Sequence, residues 1–185
     1  MNSQENIKLN HDLKILASLN HKQFNHWLDN QNKHSIRLEN GDLIIPAEKS
    51  ERWTRQMKTA YRDLSEEEKD SDRNIARGWL KDIEHITFES EQVKTMISTL
   101  KEPNMLETIA ALEHDDWSTW TSYIFASGTK QEDDSLLLEK SFVDKLDHAL
   151  NEKNFDNLKH GFKTLFTEPA INWVAEITMP DEKTA

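Results

Sequence analysis

With 185 residues, 31% of them charged and 36% hydrophobic, the chain has material for one ordinary domain or two small ones, with a modest core of large side chains. The absence of cysteine excludes disulfides, thiolate metal sites and cysteine nucleophiles, and four glycines with four prolines favour helices over a sandwich or barrel. The formal charge of −11 is uneven: residues 1–92 carry 14 Lys+Arg against 17 Asp+Glu, net −3, and residues 93–185 carry 9 against 17, net −8. All the arginines (Arg37, Arg52, Arg55, Arg62, Arg73, Arg77) lie in the first half, so a site for an anion is expected there. No apolar run approaches the roughly 20 residues of a membrane-spanning helix. The opening MNSQENIKLNHDLK lacks the apolar segment of a signal peptide, so a cytoplasmic location is expected.

In chain order, the spacing of Leu13, Leu16, Ala17, Phe24, Trp27 and Leu28 predicts a helix from about Asp12 to Gln31. SIRLENGDLIIP follows, with two short β-like runs about Asn40-Gly41, a dipeptide that favours a tight hairpin turn, and Pro46 closes the second run. A helix from about Glu48 is expected to bury Trp53, Met57, Ala60 and Tyr61. Ser65, with acids in the next turn and Glu68 three residues on, predicts a capping box at the head of another helix. FESEQVKTMISTLKEPN has an apolar period that ends near Pro103 and predicts a connecting helix. LETIAALEHDDWSTWTSYIFAS, SLLLE and KSFVDKLDHAL then repeat the helix, strand and helix of the first half.

The repetition holds a register. His114, Trp117 and Trp120 lie 93 positions after His21, Phe24 and Trp27, and Leu136–Leu138 lie 93 after Leu43–Ile45. After one inserted residue, INWVAEI from Ile171 lies 94 positions after RGWLKDI from Arg77, which sets Trp173 over Trp79. A register kept this long marks a tandem duplication. The expected organisation is a first repeat in 1–92, then a connecting helix and a degenerate second repeat in 93–185. The expected fold class is mainly α, an α+β arrangement with short strands.

Ala17 and His21 on one helix, Pro46 ending a strand, Arg52-Trp53, Tyr61 with Leu64, and Glu68, Lys69, Asp72 and Arg73 on a further helix are similar to the signature of the RyR domain. This repeat module is named from ryanodine receptors, and the likeness is greatest to its stand-alone bacteriophage and bacterial versions. The resemblance covers residues 12–83 in the order of elements as well as in the motifs, with Phe24 where the family favours Trp. The second half keeps His114, Trp117 and Trp120 but loses the Arg-Trp, Tyr-x-x-Leu and Lys-x-x-Asp-Arg elements. The resemblance implies two RyR-like repeats packed as a pseudo-symmetric pair. It further implies a binding protein without catalytic activity, whose prokaryotic kin are associated with nucleotide-derived ligands and phage–host conflict.

Candidate ligand contacts follow from chemistry. Arg52, Arg55, Lys58 and Arg62 fall at i, i+3, i+6 and i+10 beside the Trp53 and Tyr61 face, and Lys69 and Arg73 share a helix face at i and i+4. Cations beside aromatics suit an anionic, ring-bearing ligand, although ordinary pairing with Glu48, Glu51, Asp63, Glu66 and Asp70 competes for the same groups. Trp27, Trp53, Tyr61, Trp79, Trp117, Trp120 and Trp173 have the faces to stack a base, yet in so polar a chain each is more often core, worth about 3 kcal/mol when buried. His21 and His114 are more often buried structural groups than ligand contacts. No metal-ligand spacing accompanies them, no cofactor motif is present, and adjacent acids such as Asp115-Asp116 and Asp133-Asp134 diverge by roughly 100° on a helix and form no dyad. Without a nucleophile or a Gly-rich phosphate loop, no enzyme is expected.

The expected ligand site combines His21, Trp27, Arg52, Trp53, Arg55, Tyr61, Lys69 and Arg73 with His114, Trp117 and Trp120. The expected partner is a small nucleotide-like ligand, with a host immune signal sequestered in the host cytoplasm as the phage-encoded version. The alternative is an acidic inhibitor that captures a host defence or nucleic-acid-binding protein by imitating nucleic-acid charge. Neither direct nucleic-acid binding nor membrane insertion is expected.

Overall fold

Helix α1 (Ser3–Lys33) begins well before Asp12, where its apolar period starts. The early turns are kept because they cap another helix. The Asp12 carboxylate, sealed from solvent, accepts the backbone N–H groups of Glu89 and Ser90 at 2.8 and 2.7 Å, and Glu5 accepts that of Glu91 at 2.9 Å. Those N–H groups head α4 (Glu91–Leu100), whose own N-cap Ser90 makes no side-chain cap. Acids placed here satisfy orphan donors and the positive end of the helix dipole. The structure, a computed structural model, describes residues 3–178.

Strands β1 (Ile36–Arg37) and β2 (Leu43–Ile45) form the hairpin expected about Asn40-Gly41. Helix α2 (Ala47–Met57) then stops earlier than its sequence pattern predicts. The Thr59 N–H bonds the Gln56 carbonyl at 3.0 Å and Ala60 turns extended, which closes the helix. Lys58 becomes the helix cap and Arg62 sits in a 3-10 turn, so the four-cation stripe on one helix does not form, Ala60 is exposed and Tyr61 is only half-buried. Ser65 caps α3 (Glu66–Ile83) with the expected reciprocal box to Glu68.

After α4, helix α5 (Leu106–Ala126), strands β3 (Thr129–Lys130) and β4 (Leu136–Leu138), α6 (Lys140–Asn151) and α7 (His160–Thr178) complete the described chain, which is mainly helical. The four short strands form one antiparallel sheet in the order β1-β2-β4-β3. At its centre Ile44 faces Leu137, with Leu43 against Leu138 and Ile45 against Leu136.

The most extensive helix pairings are α1 with α7 and α3 with α5. Each joins the two halves of the sequence. Both cores are mixed in the same way. Phe24, Leu43, Ile45, Trp120, Leu138 and Phe166 share one, and Leu16, Trp79, Met96, Ile109 and Trp173 share the other. Trp79 and Trp173 meet with ring centres 4.9 Å apart. Among the described residues no helix is long and apolar enough to cross a membrane.

Two turn positions 93 apart carry the described residues' positive φ angles: Gly41 at 91° and Asp134 at 66°. A Cβ at Gly41 would lie 2.8 Å from Cγ of Lys140. Gly41→Ala is therefore expected to cost about 1–2 kcal/mol from the left-handed backbone, with the Lys140 stem displaced. Asp134→Gly should cost nothing or stabilise. Urea unfolding of both variants measures this; a Gly41→Ala variant as stable as wild type would show that the turn relaxes freely.

Candidate functional site

A cleft of about 270 Å³ opens where α1, α2, α3 and α5 converge. Its cationic wall comes from α2, where Lys49, Arg52, Trp53 and Gln56 recur at i, i+3, i+4 and i+7 and so share one face. Trp53 anchors that face, only 8% exposed. Lys49 and Arg52 make no ion pair among the described residues, although 34 acids outnumber 23 bases in the chain. Trp27 from α1 stands between Trp53 and Trp117, edge-on to both, at 6.2 and 6.3 Å between ring centres.

His114 adds a titratable group. Its Nε2 lies 2.9 Å from the Thr59 carbonyl, and its Nδ1 lies 3.2 Å from a carboxylate oxygen of Asp72 on α3. Both neighbours are acceptors, which favours the imidazolium with its two N–H donors. Burial opposes the charged form, but Asp72 and Thr59 outweigh it and raise the pKa above the ordinary histidine value. The ring also lies 5.7 Å from Trp117, within cation–π range.

His21 has the opposite environment. Its Nε2 donates to the Ala149 carbonyl at 2.9 Å, and its ring packs 5.1 Å from Phe166. Burial dominates and lowers its pKa. Phe166 lies 94 positions after Asp72, so where one histidine meets a carboxylate the other meets a phenyl ring. The same substitution runs through the cleft. Phe142, Leu146 and Ala149 lie 93 positions after Lys49, Trp53 and Gln56, and Phe162 lies 94 after Glu68; all four are buried in the first core.

Of the expected ligand residues, the cleft gathers Trp27, Arg52, Trp53, His114 and Trp117. It does not gather the others. Arg55 pairs with Glu68, which also accepts from Gln56 and from the Ser65 backbone, and the Arg55 pairing, followed by those bonds, holds the Glu68 carboxyl down to about 2. Arg73 bonds Glu107 at 2.6 Å and Asp70 at 2.7 Å, with Glu66 at 3.1 Å. Lys69 reaches Glu66, and Tyr61 donates to Glu107 at 2.9 Å; burial and that bond push the Tyr61 hydroxyl up to about 12. Arg73 clamps α3, and Tyr61 the 3-10 turn before it, to the start of α5, away from the cleft, while Lys69 pairs within α3. Trp120, 2% exposed, donates to the Leu165 carbonyl and closes the first core.

A second cavity of about 510 Å³ adjoins the first and shares Trp27, Asn30, Ser71, Ile75 and Trp117 with it. Trp79, Trp120 and Glu113 line its far end. The two form one elongated depression, cationic at one end and aromatic at the other. Sequence reasoning missed Lys49, although its place one turn before Arg52 and Trp53 was legible, and it missed Asp72 as the partner of His114, which depends on a contact between halves. Among the described residues no group of three His, Asp or Glu side chains is placed to hold a metal ion. Comparison with protein-family models, with curated proteins and with solved structures finds no match.

The histidines predict an NMR titration. His114 should titrate above 6.5 and His21 below it, and Asp72→Asn should lower the His114 value without moving His21. In stability, the His114 contribution is full below pH 6.5 and lost as pH rises through its raised folded value. The His21 contribution is present above pH 6.5 and lost as pH falls through its lowered one. Coincident titration of the two rings would refute this assignment.

Proposed function

We propose that the protein is a non-enzymatic binding module of two RyR-type repeats packed as a pseudo-symmetric pair, and that it captures a small nucleotide-derived ligand in the cleft between α1, α2, α3 and α5. The observation that carries this reading is the coincidence of unpaired Lys49 and Arg52, the His114 imidazole beside Asp72 and the Trp27–Trp53–Trp117 wall in an otherwise acidic protein. Guanidinium and ammonium groups without home partners suit phosphate, and tryptophan faces suit a base. The reciprocal packing of α1 on α7 and α5 on α3, the sheet register centred on Ile44 and Leu137, and the bonding of each of the two equivalent histidines to a carbonyl of the opposite half all support a paired duplication. In a phage-encoded protein such capture withdraws a host immune signal from the cytoplasm.

An acidic inhibitor of a host protein has less support. Of the acids it would use, Asp116 is buried, Asp133 bonds Ser135 and Asp134 pairs with Lys130 at 2.5 Å, which leaves Asp115 facing solvent without a local partner.

Calorimetry with nucleoside 5′-monophosphates tests the main reading. Arg52→Ala should weaken binding ~10- to 150-fold, the effect of about 1.5–3 kcal/mol for a charge-assisted bond, and less at high salt. Arg73→Ala should leave affinity unchanged, because its charge is spent on Glu107, Asp70 and Glu66. Wild-type affinity in a folded Lys49→Ala, Arg52→Ala double variant would dispose of this site.

A further inference from the structure

We propose that the aromatic end of the cleft reads the donor–acceptor edge of a heterocyclic base through Glu113, acting as a neutral carboxylic acid. The proposal rests on the nucleotide-capture reading and assigns the part of the ligand that enters the second cavity.

Glu113 lies on α5 one turn before Trp117 and is 3% exposed. It lines the cavity walled by Trp27, Trp79, Trp117 and Trp120, a space of about 510 Å³ suited to a planar ring. Its Oε1 has no hydrogen-bond partner, and neither has Oε1 of Gln23, the side chain within hydrogen-bonding reach of the same carboxyl. Buried polar atoms left in this state are rare and costly in a folded protein. A partner that inserts between the tryptophans and presents an N–H satisfies them.

The charges around the carboxyl decide its form. From α3 the facing group is Asp72, and on its own helix it is Asp116, both acidic. At the cavity mouth, Lys22 from α1 is held by Asp82 at 2.7 Å, and His26 is exposed. His114, next in sequence, turns its ring nitrogens to Asp72 and Thr59. Among the described residues no cation compensates Glu113, and burial first, then Asp72, pushes its pKa up to about 8 despite the Gln23 bond. In the neutral form one oxygen donates and the other accepts. That pair complements an amine N–H beside a ring nitrogen, or a ring N–H beside a carbonyl. A carboxylate offers two acceptors and complements neither.

The test is affinity against pH by calorimetry, with AMP and UMP as probes at pH 7 and AMP carried to pH 9. Both should bind at pH 7. N6,N6-dimethyl-AMP, which lacks the N–H, should bind at least tenfold more weakly than AMP, since a site built to pair a polar edge rejects the analogue that lacks it. AMP affinity should fall about tenfold from pH 7 to pH 9, following the loss of the neutral carboxyl. His114 is a further titratable group in the cleft, so the comparison is with Glu113→Gln, which keeps His114 and carries a non-titrating donor and acceptor; its profile should lack the Glu113 component. Glu113→Leu should bind AMP at least tenfold more weakly than Glu113→Gln, with melting temperatures confirming that both fold. Binding that still depends on Arg52 but is equal for AMP and its dimethyl derivative, or has the same pH profile in wild type and Glu113→Gln, overturns the role of Glu113 and leaves nucleotide capture standing. No binding of AMP or UMP at any pH overturns both.

Discussion

The structure depends on an exchange of helices between the two halves of the sequence. Helix α1 is buried chiefly against α7 and helix α5 against α3, while β2 and β4 join the two hairpins into one sheet. Each core draws its residues from both halves, and large side chains such as Phe24, Trp79, Phe166 and Trp173 are buried where the halves meet. Small units bury a low fraction of their surface, and pooling the apolar faces of two such units into mixed cores overcomes that limit. Loss of either half would expose Trp79 or Trp173, whose rings cover each other.

This exchange also creates the cleft. The first helices bring Trp27, His114 and Trp117 to the junction, and the later helices bring Arg52, Trp53 and Asp72 to meet them. An exchange of this kind would produce two clefts if both halves carried the same side chains, but they do not. Phe142, Leu146, Phe162 and Phe166 stand at the positions that correspond to Lys49, Trp53, Glu68 and Asp72, and they pack into the first core. In the second half these positions serve the hydrophobic core, worth about 1.5–3 kcal/mol for each large side chain buried. In the first half they carry polar groups whose burial brings little stability.

Much of this was legible in the sequence, because the 93-residue recurrence of its motifs gives the element order twice over. The hairpin at Asn40-Gly41, the capping box at Ser65 and the connecting helix after Ser90 all follow from local chemistry, and each forms in the structure. The misses arise where distant residues decide. The length of α1 depends on Asp12 and Glu5 capping a helix whose residues lie more than 70 positions away. The early end of α2 comes with the turn through Thr59 and the extended Ala60, and it separates Arg52, which faces the cleft, from Lys58 and Arg62, which do not. Among the basic groups, spacing alone could not distinguish Arg52 from Arg73. Both lie on helices beside aromatics, and only the position of Glu107, on the opposite half, reveals that Arg73 is already neutralised.

The buried acids of α5 carry the comparison between halves one step further. Glu113 and Asp116 lie 93 positions after Asn20 and Gln23, so α1 has neutral amides where α5 has carboxyls. Asn20, 3% exposed, shows that the fold accepts an amide at such a place; its Nδ2 donates to the Phe166 carbonyl at 3.3 Å. A carboxyl in the same setting must be desolvated and held protonated, and burial raises the pKa of both Glu113 and Asp116. Folding therefore does not require the acid, and an amide would be the less costly choice across the pH range. What distinguishes the acid is a hydroxyl donor available at neutral pH, and an oxygen left without a partner beneath four tryptophans. A residue costly to the fold is thus placed where a ring would be held, in the cavity that adjoins the cationic wall. That placement links the two ends of the cleft into a single site.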